Sequence, residues 1–140
     1  MKMLLIHCDY FSYLTTKPTK IAEEISGGCK SCAIKDALVI FVTTEGCDAN
    51  DPDKVIKKGI EEITAHARHL GVRNLVIYPF VHLSDQISAP EVATRIIEEL
   101  REGLMSLGYS VDKAPFGWEK VFSLTTKGHP LAESSKTIRP

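Results

Sequence analysis

The sequence lacks the short signatures that most often name a chemistry. It holds no Gly-x-x-x-x-Gly-Lys phosphate loop, no Gly-x-Gly-x-x-Gly fingerprint, no His-Glu-x-x-His and no Gly-x-Ser-x-Gly elbow. Nucleotide hydrolysis, zinc proteolysis and a serine nucleophile are therefore disfavoured. No apolar run approaches the roughly 18 residues that a membrane span needs. The amino terminus does not make a signal peptide, because its apolar stretch is four residues, Met3 to Ile6, and meets His7 and Asp9 instead of a small-residue cleavage site. A cytoplasmic protein with no membrane partner is expected. An excess of one charge is also missing: Lys and Arg total 17 against 18 Asp and Glu, a net charge of -1. A surface that tracks phosphates usually carries a strong basic excess, so any RNA contact must be local. Cysteine is sparse, and of Cys8, Cys29, Cys32 and Cys47 only the Cys29-Lys-Ser-Cys32 pair has metal-ligand spacing. Zinc needs a second pair of ligands, and a reducing cytosol disfavours a disulfide. Neither a metal nor a cofactor is expected. Repeats and low-complexity tracts are absent too.

What is present fits one domain over residues 1–140, long enough to bury about two-thirds of the surface of its unfolded chain. Lys2 to Cys8 reads as a buried strand, and Asp9 to Thr16 as a second, more exposed strand returning beside it. Pro18 to Lys35, with Gly27 and Gly28, reads as a loop with one helical turn around Ile21 to Ile25; loops of that length in compact domains are commonly functional. Ala37 to Thr44 is apolar on both faces and belongs in the centre of a sheet. Asp51 caps a helix with Pro52 at its first position, whose stripe is Ile56, Ile60, Ile63, Ala67 and Leu70, stopped by Gly71. Val72 to Phe80 is another buried strand, which makes a β-α-β unit with parallel strands and a right-handed crossover. Ser88 to Glu91 reads as a capping box before a helix with the stripe Val92, Ile96, Ile97, Leu100 and Leu104, ended by Gly108. Tyr109 to Lys113 and Glu119 to Thr125 read as strands, and Leu131 to Ser135 as a short helix or coil. The class is α/β: one domain, a mixed β-sheet with a β-α-β unit and two main helices.

The densest chemistry lies between Lys113 and Glu133, where aromatics, glycines, prolines, lysines and a histidine crowd twenty-one residues. Alternation puts Trp118, Lys120 and Phe122 on one face of their strand, so Lys120 is a partly enclosed ammonium able to orient an anion, a hydroxyl or a water. His82 follows the exit of a buried strand, where ligand sites of open α/β sheets lie, and is a candidate acid, base or positioner. Ser84 beside it has no third group to make a triad, and His129 beside Pro130 reads as structural.

The stretches Leu4-Leu5-Ile6-His7-Cys8-Asp9-Tyr10, Tyr78-Pro79-Phe80-Val81-His82-Leu83-Ser84, Lys113 through Lys120 and Lys127-Gly128-His129-Pro130-Leu131-Ala132-Glu133 together resemble the amino-terminal editing domain of archaeal threonyl-tRNA synthetases over nearly the full length. The resemblance implies a D-aminoacyl-tRNA deacylase-like fold and hydrolysis of L-serine mischarged on threonine tRNA, in a homodimer and without a metal. It makes Lys120 and His82 the polar site groups. It has backbone around Thr44, Pro79, Val81 and Phe116 hold the aminoacyl group, and Glu45, Phe80, Gly117 and Glu133 are counted with them as substrate-binding. Attack by water is helped by the 2'-hydroxyl of the terminal adenosine. The implied partners are the 3' end of seryl-tRNA(Thr), a second copy, and the catalytic and anticodon-binding regions of a synthetase, in cis or in trans. Two positions depart from the family pattern: Glu119 stands where tyrosine is common, and Val81 where alanine is; Glu119 is then free to pair with a nearby cation.

Such an activity meets a physical need. Serine is one methyl smaller than threonine, and a pocket discriminates against a missing methyl by only about 1 to 3 kcal/mol. A second, hydrolytic site closes the gap and needs few side chains if backbone groups bind the aminoacyl moiety. A deacylase of D-aminoacyl-tRNA and a non-catalytic dimerising or RNA-binding appendage stand as alternatives from other classes.

Overall fold

Stretches that are apolar on both faces take the middle of the sheet, and the chain has two of them. In the computed structural model, which describes all 140 residues, β2 (Ser31–Thr43) is buried throughout Ala37 to Thr43, and β3 (Asn74–Pro79) is buried from Leu75 to Tyr78. They lie side by side and parallel, joined by α1 (Pro52–Leu70). The Asp51 side chain accepts from Lys54 N–H, Pro52 sits at the first turn and Gly71 closes the helix in the left-handed region, as the local sequence dictates. Next comes α2 (Pro90–Ser106), then β4 (Ser110–Lys113), parallel to β3. The remaining strands are β1 (Lys2–Pro18), β5 (Trp118–Thr126) and β6 (Glu133–Thr137). The sheet runs β4-β3-β2-β1-β5, with β6 beside β1.

Both helices cover one face, where Leu5, Leu38, Ile40, Ile63, Leu75, Ile77, Ile96, Leu100 and Leu104 form an aliphatic core. The helices approach closely at glycine: a Cβ on Gly103 would come within 2.3 Å of the Ile60 side chain. The other face has no helix and is instead closed by the sheet's own curl. Phe11, Tyr13, Phe41 and Tyr78 pack there with ring centroids 5.2 to 6.3 Å apart, mostly edge to face.

The curl has a local cause. Along β1, Met3 and Leu5 belong to the helix-covered core, whereas Phe11 and Tyr13 belong to the aromatic one. The odd-numbered residues therefore change faces near Asp9, where the pairing with β5 slips by one residue between Cys8 and Tyr10. In β2 the same exchange occurs at Asp36, which takes a positive φ of 51°. Asp9 and Asp36 lie opposite one another between the pairs Cys8–Ala37 and Tyr10–Lys35. Lys127 bridges the two carboxylates at 2.7 and 3.4 Å, and His7 Nε2 meets Asp36 at 3.0 Å.

Four expectations are corrected. Lys2 to Thr16 is one continuous strand and not a hairpin; Asp9 marks the slip in pairing, with no turn residues there to reverse the chain. The segment from Ser31 to Lys35 is the outer half of β2, and the helical turn in the preceding loop lies at Ser26–Gly28. Leu131 to Ser135 yields no helix: Glu133 to Thr137 pairs with Ile6 to Lys2 as a polar edge strand. Ser88 forms no capping box, since Ala89 is the cap residue and the Ser88 hydroxyl instead meets the Thr44 hydroxyl at 2.7 Å.

Candidate active site

At the margin of the aromatic face, where the end of β3 and the start of β5 come together, a cavity of about 440 Å³ opens to solvent. Trp118, Lys120 and Phe122 line it from one side, Pro79, Phe80, Val81 and His82 from another, and Phe116 and Gly117 from the turn before β5. The Lys120 ammonium stands 5.1 Å from the centre of the Tyr78 ring and donates to the carbonyls of Pro115 and Trp118, each at 2.8 Å. Burial pulls its pKa down to about 8; the nearby Glu23 carboxylate opposes that pull and the Lys113 ammonium adds to it. Lysine carries three N–H donors, so two carbonyl contacts leave one for a ligand.

His82 is exposed on the 3-10 turn Val81–Leu83, its ring edge against Phe80 at 5.0 Å between centroids. That segment is tied down from β2: the Thr43 hydroxyl donates to the Phe80 carbonyl and accepts from Leu83 N–H at 3.4 Å. Behind it lies a smaller cavity of about 110 Å³ that shares Ile21, Pro79, Phe80, Val81 and Phe116 with the larger one and is also lined by Thr44. The structure thus brings together Lys120, His82, Pro79, Phe80, Val81, Phe116 and Gly117, with Thr44 next door.

Glu45 and Glu133 lie elsewhere. Glu45 is buried, takes the Ser84 hydroxyl at 2.7 Å and the Arg139 guanidinium, and lies 3.3 Å from the Met1 ammonium. Burial would raise its pKa, but these bonds hold it down to about 2. Glu133 begins β6 on an exposed edge. Glu119 makes no ion pair, so the cation partner expected for it is absent. It is exposed at the rim of the cavity beside Trp118 and Lys120, whereas Val121 lines a groove on the outer side of the sheet with Leu14 and Ser123. His129 packs against His7, with 2.9 Å between ring nitrogens. Cys29 and Cys32 are free thiols, and no cluster of three or more His, Cys, Asp or Glu side chains is arranged to hold a metal.

Sequence reasoning passed over the segment Thr19 to Glu23, which closes the cavity from above. Thr19 and Ile21 line it, and the Thr19 N–H donates to the Gly117 carbonyl at 3.0 Å. Glu23 takes both backbone groups of Phe116: its Oε1 accepts Phe116 N–H at 2.8 Å and its own N–H donates to the Phe116 carbonyl at 3.0 Å. The available signal was the length of the loop itself.

The family described as the archaea-specific editing domain of threonyl-tRNA synthetase matches residues 1–138. This chain belongs to that family. Threonine-tRNA ligases of Methanoregula boonei and Pyrococcus furiosus are each 45% identical to it over 140 and 141 residues, covering 100% of the chain and 22% and 23% of their own length. That of Methanosarcina barkeri is 42% identical over the same 100% of the chain. The editing-domain chain thus spans under a quarter of the length of these curated relatives. Among solved structures, the c-Myc DNA unwinding element binding protein superposes with a TM-score of 0.72 over 100% of both chains at 11% identity, a likeness of fold alone. The α/β class, with a mixed six-stranded sheet and two helices, agrees with the expectation from sequence.

Proposed function

We propose that the chain is a proofreading hydrolase that removes L-serine from mischarged threonine tRNA. The observation that carries this reading is Lys120: a half-buried ammonium, fixed by two carbonyls against an aromatic ring, with one donor free at the wall of the cavity. Membership of an editing-domain family supports the substrate class. The aminoacyl ester enters between the Pro79–His82 segment and the Phe116–Gly117 turn. Water attacks the ester carbonyl, the bond to the ribose oxygen breaks, and serine and tRNA with a free terminal hydroxyl leave. The 2'-hydroxyl of the terminal adenosine assists the water. Lys120, charged at neutral pH, orients the water or a ribose hydroxyl, and His82 positions the ribose from the opposite wall. Because Glu23 occupies both backbone groups of Phe116, contact to the aminoacyl group from this turn falls to neighbouring groups. The partners in this reading are the 3' end of seryl-tRNA(Thr), a second copy of the chain, and the synthetase's catalytic and anticodon-binding regions in cis or in trans, all in the cytoplasm.

The test compares release of amino acid from Ser-tRNA(Thr) and Thr-tRNA(Thr). The seryl ester is hydrolysed, the threonyl ester is spared, and Lys120→Ala slows the reaction. Equal hydrolysis of the two esters, or none with intact tRNA, overturns the reading.

A further inference from the structure

Glu23 stands in an irregular loop and would pass for a solvated carboxylate, yet its side chain lines no part of the cavity and is bonded to the turn that does. Its two oxygens take the Lys113 ammonium at 2.7 and 2.8 Å, and Oε1 also takes Phe116 N–H. Its main chain adds a bond in each direction, to the Phe116 carbonyl at 3.0 Å and from the Trp118 indole N–H at 2.7 Å. The strap it belongs to lies directly on the turn: Gly117 has φ 76°, and a Cβ there would come within 2.5 Å of the Ile21 carbonyl. On the far side Lys113 is backed by Glu98 of α2 at 3.7 Å, and its carbonyl takes the Lys30 ammonium at 2.7 Å.

We propose that Glu23 is a positioning residue for the reaction: its carboxylate and main chain together fix the Lys113–Trp118 turn, whose Pro115 and Trp118 carbonyls aim the Lys120 ammonium into the cavity. This rests on the proofreading reading for its chemistry but not for its geometry. Without the strap, the turn loses the bonds that define it and the two carbonyls lose their fixed spacing. Displacement of a reacting or orienting group by about 1 Å is enough to cost on the order of a hundredfold in rate. The charge acts as well as the bonds. Glu23 faces Lys113 from the strap, Glu98 and Arg101 face the pair from α2, and Asp112 of β4 and Lys30, just before β2, flank it. Removing the Glu23 charge leaves Lys113 less neutralised, which disfavours a second ammonium at Lys120.

Three measurements on the whole chain test this. In the wild-type protein the Phe116 amide proton, held by the Glu23 carboxylate, exchanges slowly with solvent; an amide that exchanges as fast as open backbone overturns the proposal without need of any variant. Glu23→Gln keeps an acceptor for Phe116 N–H but no charge, so the Lys120 midpoint, read from its Cε signal in the free protein, falls below the wild-type value of about 8. The alkaline limb of the kcat profile moves down with it. Glu23→Ala removes the bonds too and lowers kcat on Ser-tRNA(Thr) about tenfold or more with KM within about twofold. An unmoved Lys120 midpoint in Glu23→Gln sinks the proposal even if hydrolysis is robust. Absence of hydrolysis in the wild type sinks the proofreading reading instead and leaves the two spectroscopic readouts to decide on Glu23. If Glu23→Ala fails to fold, those same readouts decide.

Discussion

The two faces of the sheet are closed in different ways, and the difference places the site. One face is covered by α1 and α2 along its length, with aliphatic side chains such as Leu5, Ile40, Ile63 and Leu100 at 0% exposure. The other is covered only as far as the curled outer halves of β1, β2 and β5 reach. Its rings are well buried at the centre, at Phe11 and Phe41, but at the rim the cover gives out and turns and strand ends make the wall. A helix layer makes a sealed core. A sheet closed by its own curl leaves a mouth bordered by main chain, with the Lys120 ammonium held at its wall by two carbonyls.

Substitutions can break or sharpen that contrast. Phe11→Ala is expected to cost the most, about 4 kcal/mol of stability, and to reduce hydrolysis in the folded fraction as well, because Phe11 buttresses Tyr78 at 6.0 Å and Tyr78 faces Lys120. Leu100→Ala in the sealed core is expected to cost about 3 kcal/mol in denaturant titrations with unchanged kcat per folded molecule; a matching loss of kcat would abolish the distinction between the faces. Glu45→Gln removes a bond network outside the cavity and is expected to cost about 2 kcal/mol at neutral pH. The sign follows from its depressed pKa: the stabilisation is present above the ordinary value of 4.5 and is lost as pH falls toward about 2, so the variant's stability changes less than wild type over that window. At the rim, hydrolysis corrected for the uncatalysed reaction falls as pH rises through about 8, where Lys120 loses its proton; a rate that climbs through the same range would make Lys120 a base. The smallest effect belongs to Glu119→Tyr, at an exposed position of the cavity rim without an ion pair: stability within about 0.5 kcal/mol and hydrolysis within about twofold.

Much of this was readable in the order of residues, for reasons that also mark where reading stops. β2, β3 and both helices declare themselves through apolar patterns, and α1 also through its caps, all of which depend only on neighbours in the chain. The inward face of β5, with Trp118, Lys120 and Phe122, follows from alternation alone. β6 could not be read, because Glu-Ser-Ser-Lys-Thr has no apolar stripe and becomes a strand only by pairing with Lys2 to Ile6. The long β1 was split at Asp9 because a charged residue inside an apolar run looks like an end; its place opposite Asp36, neutralised by Lys127, exists only in three dimensions. The grip of Glu23 on Phe116 is of the same kind, a contact between residues 93 apart in the chain. Glu45, which the family resemblance put beside the substrate, turned out to be where Ser84 and Arg139 converge.

The length of β1 also bears on how the molecule is made. Its first residues find their last neighbours at the far end: Lys2 pairs with Thr137 and Tyr10 with Thr125. At roughly 5 to 20 residues per second, a ribosome extrudes β1 several seconds or more before β5 and β6 exist to cover its edge. In that interval the strand has only β2 beside it, and an unpaired edge is a template for other chains. Lys2, Asp9, Lys17 and Pro18 punctuate it with charges and a missing donor, which would slow such sticking while the nascent chain waits for its own carboxyl-terminal half.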